Sequence, residues 1–105
     1  MAKRKLRGAE SVVVALCLDY QRRAEEIAAS KLPRRILMEY SYYNSRIFEG
    51  VGEIVGAALA EVFIYEIGNR RGYASTEITT ISESTYKRYK AEAVKNVARK
   101  LHYAL

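Results

Sequence analysis

The first pattern along the chain is a helical one. Apolar side chains between about Glu10 and Ser30 recur every three or four residues: Val13, Leu16, Cys17, Tyr20, Ala24 and Ile27. This spacing places them on one face of an amphipathic helix. Pro33 lacks an amide hydrogen and suits the first turn of a helix, but it disfavours helical geometry at Leu32. The pattern predicts a first helix, a turn at residues 30–33 and a second helix from Pro33.

The second helix is expected to end at about Phe48, because glycines follow it and each lowers helix propensity by about 1 kcal/mol relative to alanine. A break near Gly50 is therefore predicted. Beyond it we expect a third helix that is apolar around most of its circumference and forms the centre of the domain. Its apolar positions are Val51, Ile54, Val55, Ala58, Leu59, Val62, Phe63 and Ile67. Gly68-Asn69 is a typical helix end, since glycine accepts the left-handed conformation.

A stripe of small residues repeats every four positions at Gly52, Gly56 and Ala60. Such a stripe lets another helix backbone approach closely. We expect close packing inside the domain, and a homodimer seam is the alternative.

Residues 68–82, with the sequence GNRRGYASTEITTIS, form the least regular segment. Ser75 or Thr76 is placed to cap a short helical turn through Ile78, and a two-residue strand stays open. The last helix is expected to begin near Ser82 or Ser84 and to run to about Tyr103. The chain thus predicts an all-α fold of about four main helices over residues 9–105, preceded by a basic flexible arm at residues 1–8.

Composition narrows the class of protein. The 105 residues carry a formal charge of +6 and include one cysteine, which argues against a disulfide framework and favours a reducing compartment such as the cytoplasm. The longest apolar run, residues 12–18, is far shorter than the roughly 20 residues of a membrane span. No membrane association is expected.

The charge is unevenly distributed. Residues 1–35 carry a net charge of +5 and residues 83–105 carry +4, whereas residues 36–82 carry −3. If the two ends meet, they form one positive surface whose expected partner is a phosphate backbone or an acidic protein face. Plain solubility is the alternative explanation.

The predicted last helix has one apolar side and a neighbouring basic side. On a helical wheel, the apolar side holds Tyr86, Tyr89, Ala93, Val97 and Leu101. The neighbouring side holds Ser84, Lys87, Arg88, Lys95, Arg99 and His102. Short polar side chains in the first turn, followed by cations, suit a helix that enters the major groove of DNA. The alternative is an ordinary surface helix whose charges face water.

The string ISESTYKRYKAEAV at residues 81–94 resembles the turn and recognition helix of helix-turn-helix domains such as region four of sigma factors. It is most similar to phage late-transcription regulators of the ArpU and RinA type, and the resemblance covers residues 77–101. The resemblance implies a helix-turn-helix-like C-terminal half. By that likeness Ser84, Thr85, Lys87 and Arg88 face the groove, while Lys95 and Arg99 contact the backbone.

The first helix of such a motif is short here, because only residues 79–81 separate Glu77-Ile78 from Ser82. The predicted third helix is then the alternative support, with residues 70–81 as an enlarged turn. In that loop Arg70 and Arg71 precede Tyr73, a composition suited to phosphate contact and base stacking. The alternative is a loop that is simply exposed to solvent.

Three tyrosines of the second helix, Tyr40, Tyr42 and Tyr43, surround it, so that some ring must be exposed. They are candidates for a protein interface, because tyrosine is frequent in binding hot spots. Structural packing is the alternative.

Catalytic chemistry has little support. His102 is the one histidine, and no Cys-His or Ser-His-Asp arrangement can be built around it. We therefore expect a non-enzymatic protein without metal or cofactor. The first hypothesis is a DNA-binding regulator encoded by a phage or mobile element. The second is an interaction protein that inhibits a host nucleoprotein complex, such as a guided nuclease.

Overall fold

The computed structural model describes residues 8–103. Except for Gly8, the predicted arm lies outside these residues. The described part contains α-helices and no strand, which confirms the all-α class. The helices are α1 (Gly8–Leu18), α2 (Tyr20–Ala29), α3 (Arg34–Val55), α4 (Ala57–Gly68) and α5 (Glu83–Lys100), with a 3-10 turn at Tyr73–Ser75.

Residues 8–103 form five α-helices where about four were expected, because the predicted first helix divides at Asp19. Two buried polar side chains bind carbonyls at this division. The Arg23 guanidinium donates to the Leu16 carbonyl, and the Asn44 amide donates to the Tyr20 carbonyl across 3.1 Å. Arg23 also donates to Asn44 Oδ1 across 2.8 Å. This polar cluster satisfies backbone groups where α1 and α2 separate.

The predicted break near Gly50 was wrong. Helix α3 continues through Gly50 to Val55, and the break falls at Gly56, which has a φ of +90°. Gly56 also interrupts the expected stripe of small residues, so the stripe is not a continuous helix face. Ala60 is fully buried and faces Gly52 within the molecule, where a Cβ on Gly52 would lie 3.9 Å from that of Ala60.

Helix α4 ends at Gly68 as predicted, but not because this glycine adopts the left-handed conformation. Gly68 does not adopt a positive φ; the left-handed residue in this part of the chain is Arg70, with a φ of 55°. Gly68 is instead a site of close packing, since a Cβ there would lie 2.5 Å from the Leu18 amide nitrogen of α1. The single turn that follows occupies Tyr73–Ser75 and stops before the predicted end at Ile78.

The core joins α1, α3, α4 and α5. Helix α5 packs mainly along α3 and also on α1, while α1 lies on α4 and α2 lies on α3. The fully buried side chains at this junction include Val13, Ile47, Val51, Phe63, Tyr86 and Val97. Of the two predicted caps of the last helix, Ser82 is the one that caps α5: Ser82 Oγ accepts from the Thr85 amide across 3.3 Å. It ends at Lys100, earlier than expected.

Candidate nucleic-acid interface

Helix α5 presents one side to the core and one to solvent. Tyr86, Ala93 and Val97 are fully buried, as the apolar side of the wheel predicted. Three cations lie on the opposite, open side: Arg88, Lys95 and Arg99. Their spacing of seven and four residues places them above one another along the helix. We call these three residues the outer strip.

The outer strip is not neutralised by ion pairs within the described chain. Arg88 lies over the Tyr89 ring, with 5.4 Å between its guanidinium carbon and the ring centroid. The structure gives no hydrogen bond or ion pair to the side chains of Lys95 or Arg99 within residues 8–103. Exposed Glu92, one turn after Arg88, reduces the positive potential in the middle of the strip. The three cations remain accessible to an anionic partner.

The other basic residues of α5 are engaged differently. Lys87 forms an exposed ion pair with Glu83, one turn earlier, at 2.8 Å. Such a pair contributes only about 0.3–0.5 kcal/mol, so it does not prevent Lys87 from binding another anion. Lys100 is bound to Glu53 of α3.

Lys90 turns toward the protein. It donates to the Arg71 carbonyl and lies 5.4 Å from the centroid of the Tyr86 ring. Burial lowers the pKa of Lys90, and the nearby Glu66 charge opposes that shift. Lys90 therefore carries a partly desolvated charge next to the loop after α4.

The first turn of α5 is a small hydroxyl cluster. Ser82 Oγ donates to Thr85 Oγ1 across 3.0 Å and lies 3.3 Å from Ser84 Oγ. Thr85 is half-buried within this cap, whereas Ser84 is exposed. Ser84 is one turn before Arg88, so it adds an exposed hydroxyl at the N-terminal end of the outer strip.

The two loop arginines have different environments. Arg70 is exposed, and its guanidinium has no polar partner among the described residues. Arg71 binds its own loop and α4: it donates to the Ser75 carbonyl of the loop across 3.1 Å and to the Tyr65 hydroxyl of α4 across 3.4 Å, and it lies over the Tyr65 ring. Arg71 therefore organises the loop, and only Arg70 extends from it.

Glu66 is a central residue that no pattern in the sequence predicts. Glu66 is 1% exposed, and its carboxylate accepts from Thr76 Oγ1 at 2.6 Å, from the Tyr86 hydroxyl at 2.6 Å and from the Glu77 amide at 3.1 Å. Burial raises the pKa of Glu66, but these hydrogen bonds outweigh burial and lower it overall. Because these contacts join α4, the loop and α5, Glu66 positions the start of the outer strip.

The three candidate interface tyrosines of α3 differ in their exposure to solvent. Tyr42 is 42% exposed, whereas Tyr40 and Tyr43 are half-buried. Arg46 lies over the Tyr42 ring at 5.3 Å, and Arg22 lies over Tyr40 at 5.6 Å. Of the three predicted interface residues, Tyr42 presents the most surface to a partner.

The path from α4 to α5 differs from that of a compact helix-turn-helix. It spans residues 69–82, whereas such motifs use a turn of about 3–4 residues. The support of α5 comes mainly from α3. The helix-turn-helix-like half therefore stays a prediction.

No protein-family model, curated protein or solved structure matches the chain. Within residues 8–103, no group of three or more His, Cys, Asp or Glu side chains is placed to hold a metal ion. None of the helices described is both long and apolar enough to span a membrane.

Proposed function

We propose that this protein is a small DNA-binding regulator that holds duplex DNA through the outer strip of α5. The observation that carries the proposal is the accessibility of Arg88, Lys95 and Arg99 on the open side of a helix whose other side is buried. When cations without carboxylate partners bind DNA phosphates, they displace the counterions condensed on the DNA. The release of these counterions drives association. The resemblance at residues 77–101 supports a regulator of phage or mobile-element origin.

The length of the strip suits a phosphate backbone. Arg88 and Arg99 are separated by about 16 Å along the helix axis, at roughly 1.5 Å per residue. Each DNA strand carries a phosphate every ~3.4 Å of axis, so the strip spans several of them. Phosphate contacts orient a protein without reading sequence, and the Ser84 hydroxyl is the only predicted groove contact on this side with a short exposed side chain. Binding is therefore dominated by the backbone.

The test compares two variants of equal charge. The strip variant is Arg88→Gln, Lys95→Gln and Arg99→Gln; the control variant is Lys31→Gln, Arg34→Gln and Arg35→Gln, three exposed cations where α2 meets α3. Binding to a short duplex is measured at low salt, with circular dichroism to verify folding. We expect the strip variant to lose at least tenfold in affinity and the control to lose less than threefold. Equal losses, or no duplex binding by the wild type, would overturn the proposal.

A second candidate is the inhibitor of a nucleoprotein complex, and one feature of α3 favours it. Met38 is 60% exposed and Tyr42, one turn later, is 42% exposed. Exposed Met and Tyr side chains are typical of protein interfaces. Replacing both by serine should abolish such inhibition and leave duplex binding unchanged. If the outer strip is the DNA contact, the strip variant should lose duplex binding and leave such inhibition unchanged.

A further inference from the structure

A cavity of about 450 Å³ lies between α5, the start of α1 and the loop after α4. Its charged lining residues are three cations, Arg70, Lys87 and Lys90, and one carboxylate, the buried Glu10 of α1. The side of α5 that faces it carries Lys87, Lys90, Ala91 and Val94, whose spacing of three and four residues marks one face. This face is distinct from the outer strip. The sequence predicts Arg70 and Lys87 among the same DNA contacts as the outer strip. In the structure these two residues line the cavity instead.

The three cations converge from two parts of the chain. Arg70 extends from the loop in a left-handed conformation, while Lys87 and Lys90 come from neighbouring positions of α5. Lys90 is anchored by the Arg71 carbonyl and is partly desolvated. An anion bound here restores the interaction that Lys90 loses with water. Arg70 supplies planar donors of the kind that suit phosphate oxygens.

The apolar wall of the cavity is held in place. The Tyr73 hydroxyl donates to the Ile81 carbonyl across 3.0 Å, and the Tyr73 ring packs edge-on against Tyr86 at 5.6 Å. Ala91 and Val94 complete this wall. Small-molecule sites have volumes of roughly 300–1,000 Å³ and combine an apolar lining with a few convergent polar groups. The cavity therefore has room for more than an inorganic anion.

We propose that this cavity binds an organic phosphate of mononucleotide size. The phosphate group lies among Arg70, Lys87 and Lys90, and the body of the ligand lies against Tyr73 and Ala91. The shared chemistry is a phosphomonoester attached to a planar group, supplied by a free nucleotide or by the 5′-phosphorylated end of a nucleic-acid strand. The inference does not depend on duplex binding by the outer strip.

The first experiment is a titration of the ¹⁵N-labelled full chain with AMP, followed by NMR. We expect the amide signals of Gly72, Tyr73 and Ala91 to shift, while those of Met38 and Ser45 on the far part of α3 stay in place. Adenosine, which lacks the phosphate, should bind at least tenfold more weakly. The absence of shifts at about 10 mM AMP, or equal binding of adenosine, would overturn the proposal.

Matched variants locate the ligand. Ala91→Phe fills the cavity without changing charge, and Arg70→Gln removes one cation; each should weaken AMP binding about tenfold. Lys95→Gln on the outer strip removes the same charge and should change AMP affinity less than twofold. All three altered residues are exposed, so thermal unfolding of each variant should remain that of the wild type. If Ala91→Phe binds AMP like the wild type, the ligand lies elsewhere and the proposal fails.

The two sources are distinguished by competition. Single-stranded oligonucleotides with a 5′-phosphate or a 5′-hydroxyl compete with AMP for the cavity. Stronger displacement by the phosphorylated strand assigns the cavity to strand ends, and displacement by AMP analogues alone assigns it to free nucleotides. Equal displacement by both strands would show that internal phosphates are bound, against the proposal. The strip variant should keep its AMP affinity, so failure of duplex binding is recognisable separately.

Discussion

Gly50 of α3 lies directly against the backbone of Val97 of α5. A Cβ atom on Gly50 would lie 2.9 Å from Val97 Cα and 2.7 Å from Val97 Cγ2. Both residues are buried, and at this point the backbones of α3 and α5 approach each other closely. The glycine therefore serves helix packing rather than a helix break, and it fixes the position of the helix that carries the outer strip.

Gly50→Ala should destabilise the protein by about 1–3 kcal/mol, because the added methyl group meets the backbone of α5. Gly52→Ala is the matched control, since its Cβ would make ordinary contact with Ala60 at 3.9 Å. Better helix propensity should stabilise that variant by about 0.5–1 kcal/mol. Urea unfolding measures both free energies. A similar sign for the two variants would contradict the close approach.

Glu66→Gln should destabilise the protein by about 1–3 kcal/mol at neutral pH. The carboxylate accepts hydrogen bonds from Thr76, Glu77 and Tyr86, and an amide group cannot accept all of them. Glu61→Gln, on an exposed position of the same helix, should change the free energy of unfolding by less than about 0.5 kcal/mol. Equal effects in urea unfolding would show that the Glu66 contacts are not needed.

The effect of Glu66→Gln should also depend on pH. The folded pKa of Glu66 lies below its ordinary value of about 4.5, since the hydrogen bonds outweigh burial. Its contribution is therefore present above the unfolded pKa and is lost as the pH falls through the folded pKa. Unfolding measured from pH 7 to pH 3 should show the stability difference between wild type and variant shrinking below about pH 4.5. A constant difference would contradict this expectation.

Cys17 should be unreactive in the folded protein. Burial raises its pKa from 9.0 to about 12, against the opposing charge of Arg23, and its side chain is almost inaccessible. Because the thiolate is the reactive form, a disulfide reagent at pH 8 should react about a thousandfold more slowly with the native than with the urea-unfolded chain. Similar rates in both states would show that α1 opens readily.

The salt dependence of duplex binding should report the number of phosphates on the outer strip. Each neutralised phosphate contributes about 0.9 to the slope of log affinity against log salt. Three contacts predict that the strip variant has a slope less steep than the wild type by about 2.7. Affinity measurements between about 50 and 200 mM salt check this. Parallel slopes would mean that the strip does not touch the backbone.

Much of the helical content could be predicted from local pattern. Apolar periodicity, the proline at residue 33 and the cap at Ser82 act within a few residues, and the structure shows helices where they predict them. Breaks were harder to predict. Gly50 has the same weak helix propensity as Gly56, but α5 presses on the first and the chain turns only at the second. Propensity alone does not distinguish these cases, because the difference lies in a distant helix.

The candidate site shows the same division. A wheel separates the apolar side of α5 from its basic side, and this separation needs only the helical repeat. The role of Glu66 was not predictable, because its partners Thr76 and Tyr86 are ten and twenty residues away and nothing in a helical glutamate marks it as buried. The division of the cations between the outer strip and the cavity depended on how α1 and the loop pack on α5.

The sequence by itself determined an all-α chain with a capped, basic last helix, because hydrophobic periodicity and caps are local properties. Only the tertiary structure decided where the helices break, which charge is buried and which cations remain free. Those outcomes depend on contacts between residues far apart in the chain, such as Gly50 with Val97 and Glu66 with Tyr86, which carry no local signal.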